Sequence, residues 1–403
     1  MSAPADSAQR DPSEPDPMHR VAATHYPAKV LLFGEHAVLA GSEALAMAWP
    51  SRHAAWMATD GLDGAAGGGD VAGLAVSPLP TATSLTVVRG LTAQAAAAGD
   101  EASAQAAAAG DEASAQAAAA SQAALAAFGH WLLQNPRTWS DWLDLAALEA
   151  ALLRNAEGPW LASNIPPGYG LGSSGSVCAA VLDAFGRPEA RVGEASAEAL
   201  QRFFARLEGF FHGSSSGVDP LVSFLGSRQP DLALHFGGGQ PVTPVAGGLG
   251  ARVSGLQADF PNGWTLTLLD TGLPRQTGPL VAAFQERMRE PVFAAAVREE
   301  LLPANAAAIR GLLGGAGVRG AASAGFAGMA SESAAAFGQA LARIDAFTQE
   351  YLGFLLEPSG GAGPLPGKPQ SPEIPPGALI KLCGAGGGGY LQCWTQTHAQ
   401  SRT

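Results

Sequence analysis

Between Ser196 and His212 the apolar side chains fall at Leu200, Phe203, Phe204, Leu207, Phe210 and Phe211, the spacing of an amphipathic helix with one broad apolar stripe. Elsewhere the period changes. Lys29–Phe33 (KVLLF) predicts a short buried strand closed by Gly34. Thr83–Arg89 and Trp264–Asp270 (WTLTLLD) predict two more, and the Leu62–Gly73 stretch between the first two reads as a loop. Long Ala-rich runs over Pro279–Leu302 and Ser331–Leu356 predict helices, and Ser359–Pro376 is a Gly/Pro-rich connector. The segment ALIKLCGAGGGGYLQCW near the end reads as two strands joined by a glycine loop. Strands and helices interleave throughout, which places the chain in the α+β or mixed α/β class.

One stretch breaks this pattern. AQAAAAGDEAS occupies Ala93–Ser103, returns at Ala104–Ser114 and starts again at Ala115. A period of 11 residues is close to three helical turns. The repeat carries almost no large side chain, so it can bury little; it reads as a low-complexity helical expansion at a tolerant surface site. Bulky residues resume at Leu125–Leu133.

The 403 residues suffice for a bilobal protein, and 23 Lys+Arg against 35 Asp+Glu leave a formal net charge of -12. That balance argues against a nucleic-acid partner, which would call for a basic face. Three cysteines, Cys178, Cys383 and Cys393, form neither an even set nor a CxxC spacing, so they suit buried structural roles in a reducing compartment. No apolar run is long enough for a membrane span. The polar, Pro-rich start MSAPADSAQRDPSEPDPMHR is unlike a secretory signal and reads as a disordered tail, so the expected location is the cytoplasm.

Three segments carry candidate chemistry. Ile165–Ser176 (IPPGYGLGSSGS) runs into an apolar-periodic helix, so a loop poor in Cβ atoms lies in front of a helix amino end, where backbone N–H groups can meet phosphate. It contains GxGxxG at Gly170, Gly172 and Gly175; the same spacing recurs within Gly384–Gly389, so the pattern alone separates little. The following serines, Ser173 and Ser174, favour phosphate with a metal ion, since a hydroxyl there can reach Mg²⁺. The second segment, Leu207–Pro220 (LEGFFHGSSSGVDP), offers Glu208 as a metal-holding carboxylate and Asp219 as a base toward a hydroxyl. In isolation such a pair is more often a surface Glu and a helix-capping or turn Asp. Gly213–Gly217 also matches the GxSxG elbow around Ser215, but that elbow needs an incoming strand and here a helical stripe leads in, which argues against a hydrolase. In the third segment, Lys29 with Glu35 and His36 would place three polar groups at one strand mouth.

Together, PAKVLLFGEHAVLAG, PPGYGLGSSGS and KLCGAGGGGYL, in that order, resemble the three motifs of the GHMP kinase superfamily. The FGEHAVLAG form, the HGSSSGVD stretch and LLDTGLPRQTGPLV are similar to the mevalonate kinase branch. The resemblance implies an α+β GHMP kinase fold, with an amino-terminal domain similar to ribosomal protein S5 domain 2 over 21–225 and a ferredoxin-like domain over 226–403. The tail would be 1–20 and the insertion 93–120. The implied activity is ATP-dependent phosphorylation of the C5 hydroxyl of mevalonate, with ATP and Mg²⁺ as cofactors, no nucleic-acid or membrane partner, and compatibility with a homodimer. Asp219 would be the base and Lys29 its partner. Pro167, Gly168, Gly170, Leu171, Gly172, Ser173 and Ser174 would hold the nucleotide, and Ser174 with Glu208 the metal. Glu35, His36, Thr271, Gly384, Ala385 and Gly386 would face the substrate. Cys383 in place of Thr, and Gly175–Ser176 in place of Ala–Ala, depart from the common pattern. Another GHMP kinase acting on a sugar, phosphomevalonate or homoserine is the same-fold alternative, and a noncatalytic nucleotide-binding regulator the different-class one; the Lys29/Asp219 pair and the GEH form weigh against homoserine.

Since the repeats touch none of these motifs, deleting Ala93–Ser114 is expected to leave turnover largely intact. Loss of turnover in a deletion variant that still melts cooperatively would overturn that reading.

Overall fold

The computed structural model describes residues 24–57, 87–89, 127–153, 160–191, 196–273, 277–316, 326–353 and 373–396. The amino-terminal tail, the Leu62–Gly73 loop, the Ala93–Ala120 repeats and most of the Ser359–Pro376 connector lie outside them.

The first sheet is organised by one long strand. β1 (His25–Phe33) pairs antiparallel along β2 (Glu43–Met57), whose other edge serves β5 (Ala233–Gly237) at Glu43–Met47 and β4 (Trp160–Ser163) at Ala54–Met57. β3 (Val87–Arg89) and β6 (Gln240–Pro244) complete six strands in the order β3-β4-β2-β5-β6, with β1 on β2. Only the end of the expected Thr83–Arg89 strand falls among the described residues. The second sheet is antiparallel throughout, β10-β11-β9-β8-β7, from β7 (Arg252–Ser254), β8 (Gln257–Asp259), β9 (Trp264–Asp270), β10 (Leu379–Leu382) and β11 (Tyr390–Gln396). Strands and helices are segregated as an α+β fold requires.

Among the helices, α1 spans Leu145–Leu153, α2 Ser173–Phe185, α3 Ala197–His212 and α4 Val218–Gly226. α5 (Thr277–Arg287), α6 (Leu302–Ala316) and α7 (Phe326–Tyr351) follow. α3 forms where the apolar stripe predicts it. Ser196 caps it by accepting from Ala199 N, and Leu200, Phe203, Phe204 and Leu207 are buried. The run expected as one helix over Pro279–Leu302 is broken instead. α5 stops at Arg287, and a new helix starts with Pro291 in its first turn, where a missing N–H costs nothing.

Period-two alternation gives β1 two different faces. Ala28, Val30 and Leu32 enter a core shared with the second sheet and with α6 and α7. A register shift between Pro27 and Ala28 turns Tyr26 to the opposite face, where it joins the core of α1–α4. Lys29, between Ala28 and Val30, therefore points toward the helices α2 and α4. Trp394, fully buried on β11, stacks near Phe33 of β1 (5.9 Å) and Phe337 of α7 (5.4 Å) and ties the two sheets together. The expected domain border at 225/226 runs ahead of β5 and β6, which hydrogen-bond into the first sheet. All three cysteines are buried and none is in a disulfide. No helix among the described residues is long and apolar enough to cross a membrane.

Candidate active site

A cleft of about 720 Å³ is bounded by Gly168, Gly170, Gly172, Ser173 and Ser174 on one side and by Thr277–Pro279 and Val281 of α5 on another. Glu208, His212, Ser214–Ser216 and Asp219 complete it. Its geometry begins with the glycine loop. Gly172 adopts the left-handed region (φ 73°) at the amino end of α2, aiming that helix's first N–H groups at the cleft. Leu171 is buried and accepts a backbone bond from Lys29 N at 2.9 Å, so the loop is fastened to β1. Pro167 is exposed at the rim.

A second helix amino end meets the first. Asp219 lies in the first turn of α4, and a Cβ on Gly175 would come within 2.8 Å of the backbone at Asp219 and Pro220. Glycine at 175 is thus what lets α2 and α4 touch. The contact sets Asp219 beside Gly172, and Lys29 Nζ reaches Asp219 Oδ1 at 2.8 Å. The Lys29 side chain is 9% exposed and that of Asp219 30%, so the carboxylate alone meets solvent in the cleft.

Glu208, on the last turns of α3, is buried beneath this pair. Ser174 Oγ donates to its Oε1 at 2.8 Å and Ser215 Oγ to its Oε2 at 2.5 Å. His212 Nε2 lies 2.9 Å from Ser174 Oγ. Burial, and then the charge of Asp219, push the Glu208 carboxyl up to about 7; the bonds from Ser215 and Ser174 and the charge of Lys29 pull the other way. Glu208 also acts on Cys178 of α2, whose thiol is pushed up chiefly by burial and then by that carboxylate.

The remaining expected residues gather elsewhere. Lys29 is in the middle of a nine-residue strand rather than at its mouth, and it does not share a partner with Glu35. Glu35 Oε1 is 2.7 Å from Lys381 Nζ of β10, with both side chains almost fully buried, and Gln392 Nε2 donates to the same oxygen at 3.1 Å. Burial pushes Glu35 up and Lys381 down, each opposed by the other's charge. His36, at φ 55°, stacks on Phe284 (4.7 Å) and bonds Ala385 O at 3.0 Å through Nε2. Gly384 supplies a backbone bond to Glu35. Gly386, in the left-handed region (φ 82°), belongs to the same loop, and Thr271 Oγ1 donates to Gly389 O at 2.7 Å. The terminal glycines approach protein backbone: a Cβ at Gly389 would fall 2.7 Å from Tyr169 O, and one at Gly388 2.6 Å from Leu273 O. The two glycine loops are therefore packed against each other through Tyr169, whose ring meets Tyr390 at 5.3 Å.

Sequence reasoning missed Lys381, Gln392 and the attachment of Ser215 to Glu208. The HGSSSG run was the one available signal for Ser215.

Compared with known proteins, residues 145–227, from α1 to just past α4, match the family described as GHMP kinases N terminal domain. That segment is thereby similar to the amino-terminal domain of GHMP kinases. A comparison with curated proteins finds no match. Among solved structures, the L. major mevalonate kinase in complex with R-mevalonate is 16% identical, covering 94% of this chain and 87% of that one, with a TM-score of 0.41. The Methanococcus jannaschii mevalonate kinase is 14% identical over 92% and 90%, TM-score 0.38. The Lactococcus lactis galactokinase complexed with galactose is 13% identical over 93% and 85%, TM-score 0.40. These scores do not separate one acceptor from another.

Removing one member of the buried Glu35–Lys381 pair leaves the other charge without compensation. Lys381→Met is expected to cost about 3–5 kcal/mol in urea unfolding, and Glu35→Gln combined with Lys381→Met to recover most of it. Equal losses in the single and double variants would show that the pairing is not what Lys381 contributes.

Proposed function

We propose that this protein transfers the γ-phosphoryl group of ATP to the C5 hydroxyl of mevalonate. The observation that carries the reading is the Lys29–Asp219 ion pair, opened to the cleft at the meeting point of two helix amino ends and beside the Ser174–Glu208 pair. Phosphoryl transfer asks a protein mainly for positioning and charge neutralisation, and this arrangement is built for both.

The acceptor hydroxyl would lie against Asp219. Its oxygen forms the new bond to phosphorus as the bond from phosphorus to the leaving ADP oxygen breaks, and the hydroxyl proton passes to Asp219. Lys29 keeps that carboxylate oriented by its bond to Oδ1 and favours negative charge on the attacking oxygen. Gly168–Ser174 and the first N–H groups of α2 take the phosphates. Pro167 and Leu171 shape the loop rather than bond its cargo, the one at its rim and the other fastened to β1.

Mg²⁺ suits the residues present. Glu208 and Ser174 offer a carboxylate and a hydroxyl oxygen, both hard donors, and Lys29 is ion-paired with the neighbouring Asp219 while its charge also acts on Glu208. Among the described residues no group of three or more His, Cys, Asp or Glu could cage a metal by itself. That agrees with Mg²⁺, which is commonly held by one or two carboxylates plus substrate phosphates. When bound there, Mg²⁺ would supply neutralisation of the phosphate charge.

The choice of mevalonate rests on the FGEHAVLAG and HGSSSGVD motifs. In this reading His36, Thr271 and Ala385 border the acceptor side, while Glu35, held by Lys381, supports that side from within. A coupled ADP-release assay over mevalonate, phosphomevalonate, galactose and homoserine tests it. Turnover is expected with mevalonate; its absence alongside turnover of another acceptor would move the protein to that acceptor. Asp219→Asn is expected to lower kcat by about 10²–10⁴-fold while ATP still binds. Near-normal kcat in that variant would remove Asp219 as the base.

A further inference from the structure

The segment after α3 does more than turn the chain toward α4. Ser215 uses both of its hydrogen-bonding capacities at once. Its oxygen accepts from Gly217 N at 2.9 Å, and its hydrogen goes to Glu208 Oε2 at 2.5 Å. Gly217 is the N-cap of α4, the helix that carries Asp219 two residues later. Ser174 occupies the other oxygen of the same carboxylate. A single hydroxyl thus connects the base-bearing helix to the carboxylate at the floor of the cleft.

We propose that Ser215 is a positioning residue for the divalent cation, holding the Glu208 carboxylate in the rotamer that turns Oε1 toward Ser174 and keeps it in register with Asp219. The inference rests on the kinase reading above, in which Glu208 and Ser174 receive the metal. Glu208 is 3% exposed, so solvent cannot replace a lost partner at Oε2. With Ser215 removed, the carboxylate must leave that oxygen unpaired or rotate toward another donor, and either change undoes the preset pairing with Ser174. Gly217 N loses its acceptor in the same step, which loosens the turn before Asp219.

The test uses the full-length protein with Mn²⁺ as the probe cation, counted by electron paramagnetic resonance at saturating ATP. Ser215→Ala is expected to raise the half-saturating Mn²⁺ concentration about tenfold, the loss of one charge-assisted hydrogen bond. Binding of ATP without metal and the KM for the acceptor alcohol should stay near the wild-type values. Ser215→Thr, which keeps the hydroxyl, is expected to restore Mn²⁺ binding to within about threefold. Glu208→Gln serves as the reference. Weak Mn²⁺ binding in Glu208→Gln with a normal titration in Ser215→Ala would overturn the positioning role and leave the kinase reading standing. Normal titrations in both would overturn the placement of the cation at Glu208, and the role of Ser215 with it.

Discussion

Everything at the cleft depends on how closely the amino end of α2 can lie against the amino end of α4. With no Cβ at position 175, the first turn of α2 rests on the Asp219–Pro220 backbone, and three side chains from separate helices come into range of one another. Ser174 belongs to α2, Glu208 to α3 and Asp219 to α4. A side chain at 175 would have to push the two helices apart, and Asp219 would then leave Lys29, which is fixed in the middle of a buried strand. Position 175 is therefore the position at which the site is drawn together.

Charge follows from that closeness. Two carboxylates, Glu208 and Asp219, share the neighbourhood of Lys29, and burial with mutual repulsion moves Glu208 well away from its ordinary range. Hydroxyls from Ser174 and Ser215 moderate this without cancelling it. A chain with net charge -12 gains little cationic support from its surroundings. A cleft so poised is completed by positive charge arriving with the nucleotide, which accords with the proposed use of ATP and Mg²⁺.

Much of this was readable in the sequence because it is local. The stripe Leu200, Phe203, Phe204, Leu207 specifies α3 within a few turns, and a glycine loop before a helix announces an anion site with no tertiary information. The illegible parts are those made by distant contacts. Lys381 meets Glu35 across 346 positions of sequence, and no spacing rule links them. β5 and β6 are not announced by the sequence reading, and only the pairing of β5 with β2 and of β6 with β5 assigns them to the first sheet. The glycine run at Gly384–Gly389 is legible as a loop between two strands. What approaches at its end is the backbone at Tyr169 and Leu273, a distinction that composition does not carry.

The shared core around Trp394 has a consequence for how the molecule comes apart. Val30 and Leu32 of the first sheet and Leu266 and Leu382 of the second are buried in the same apolar cluster, with Phe33, Phe337 and Trp394 at its junction. Neither sheet can expose that face without stripping the other's, so the two halves melt as one cooperative unit. Evolution of the molecule is coupled in the same way: a substitution that loosens the carboxy-terminal half draws on a reserve of stability that the nucleotide loop also uses.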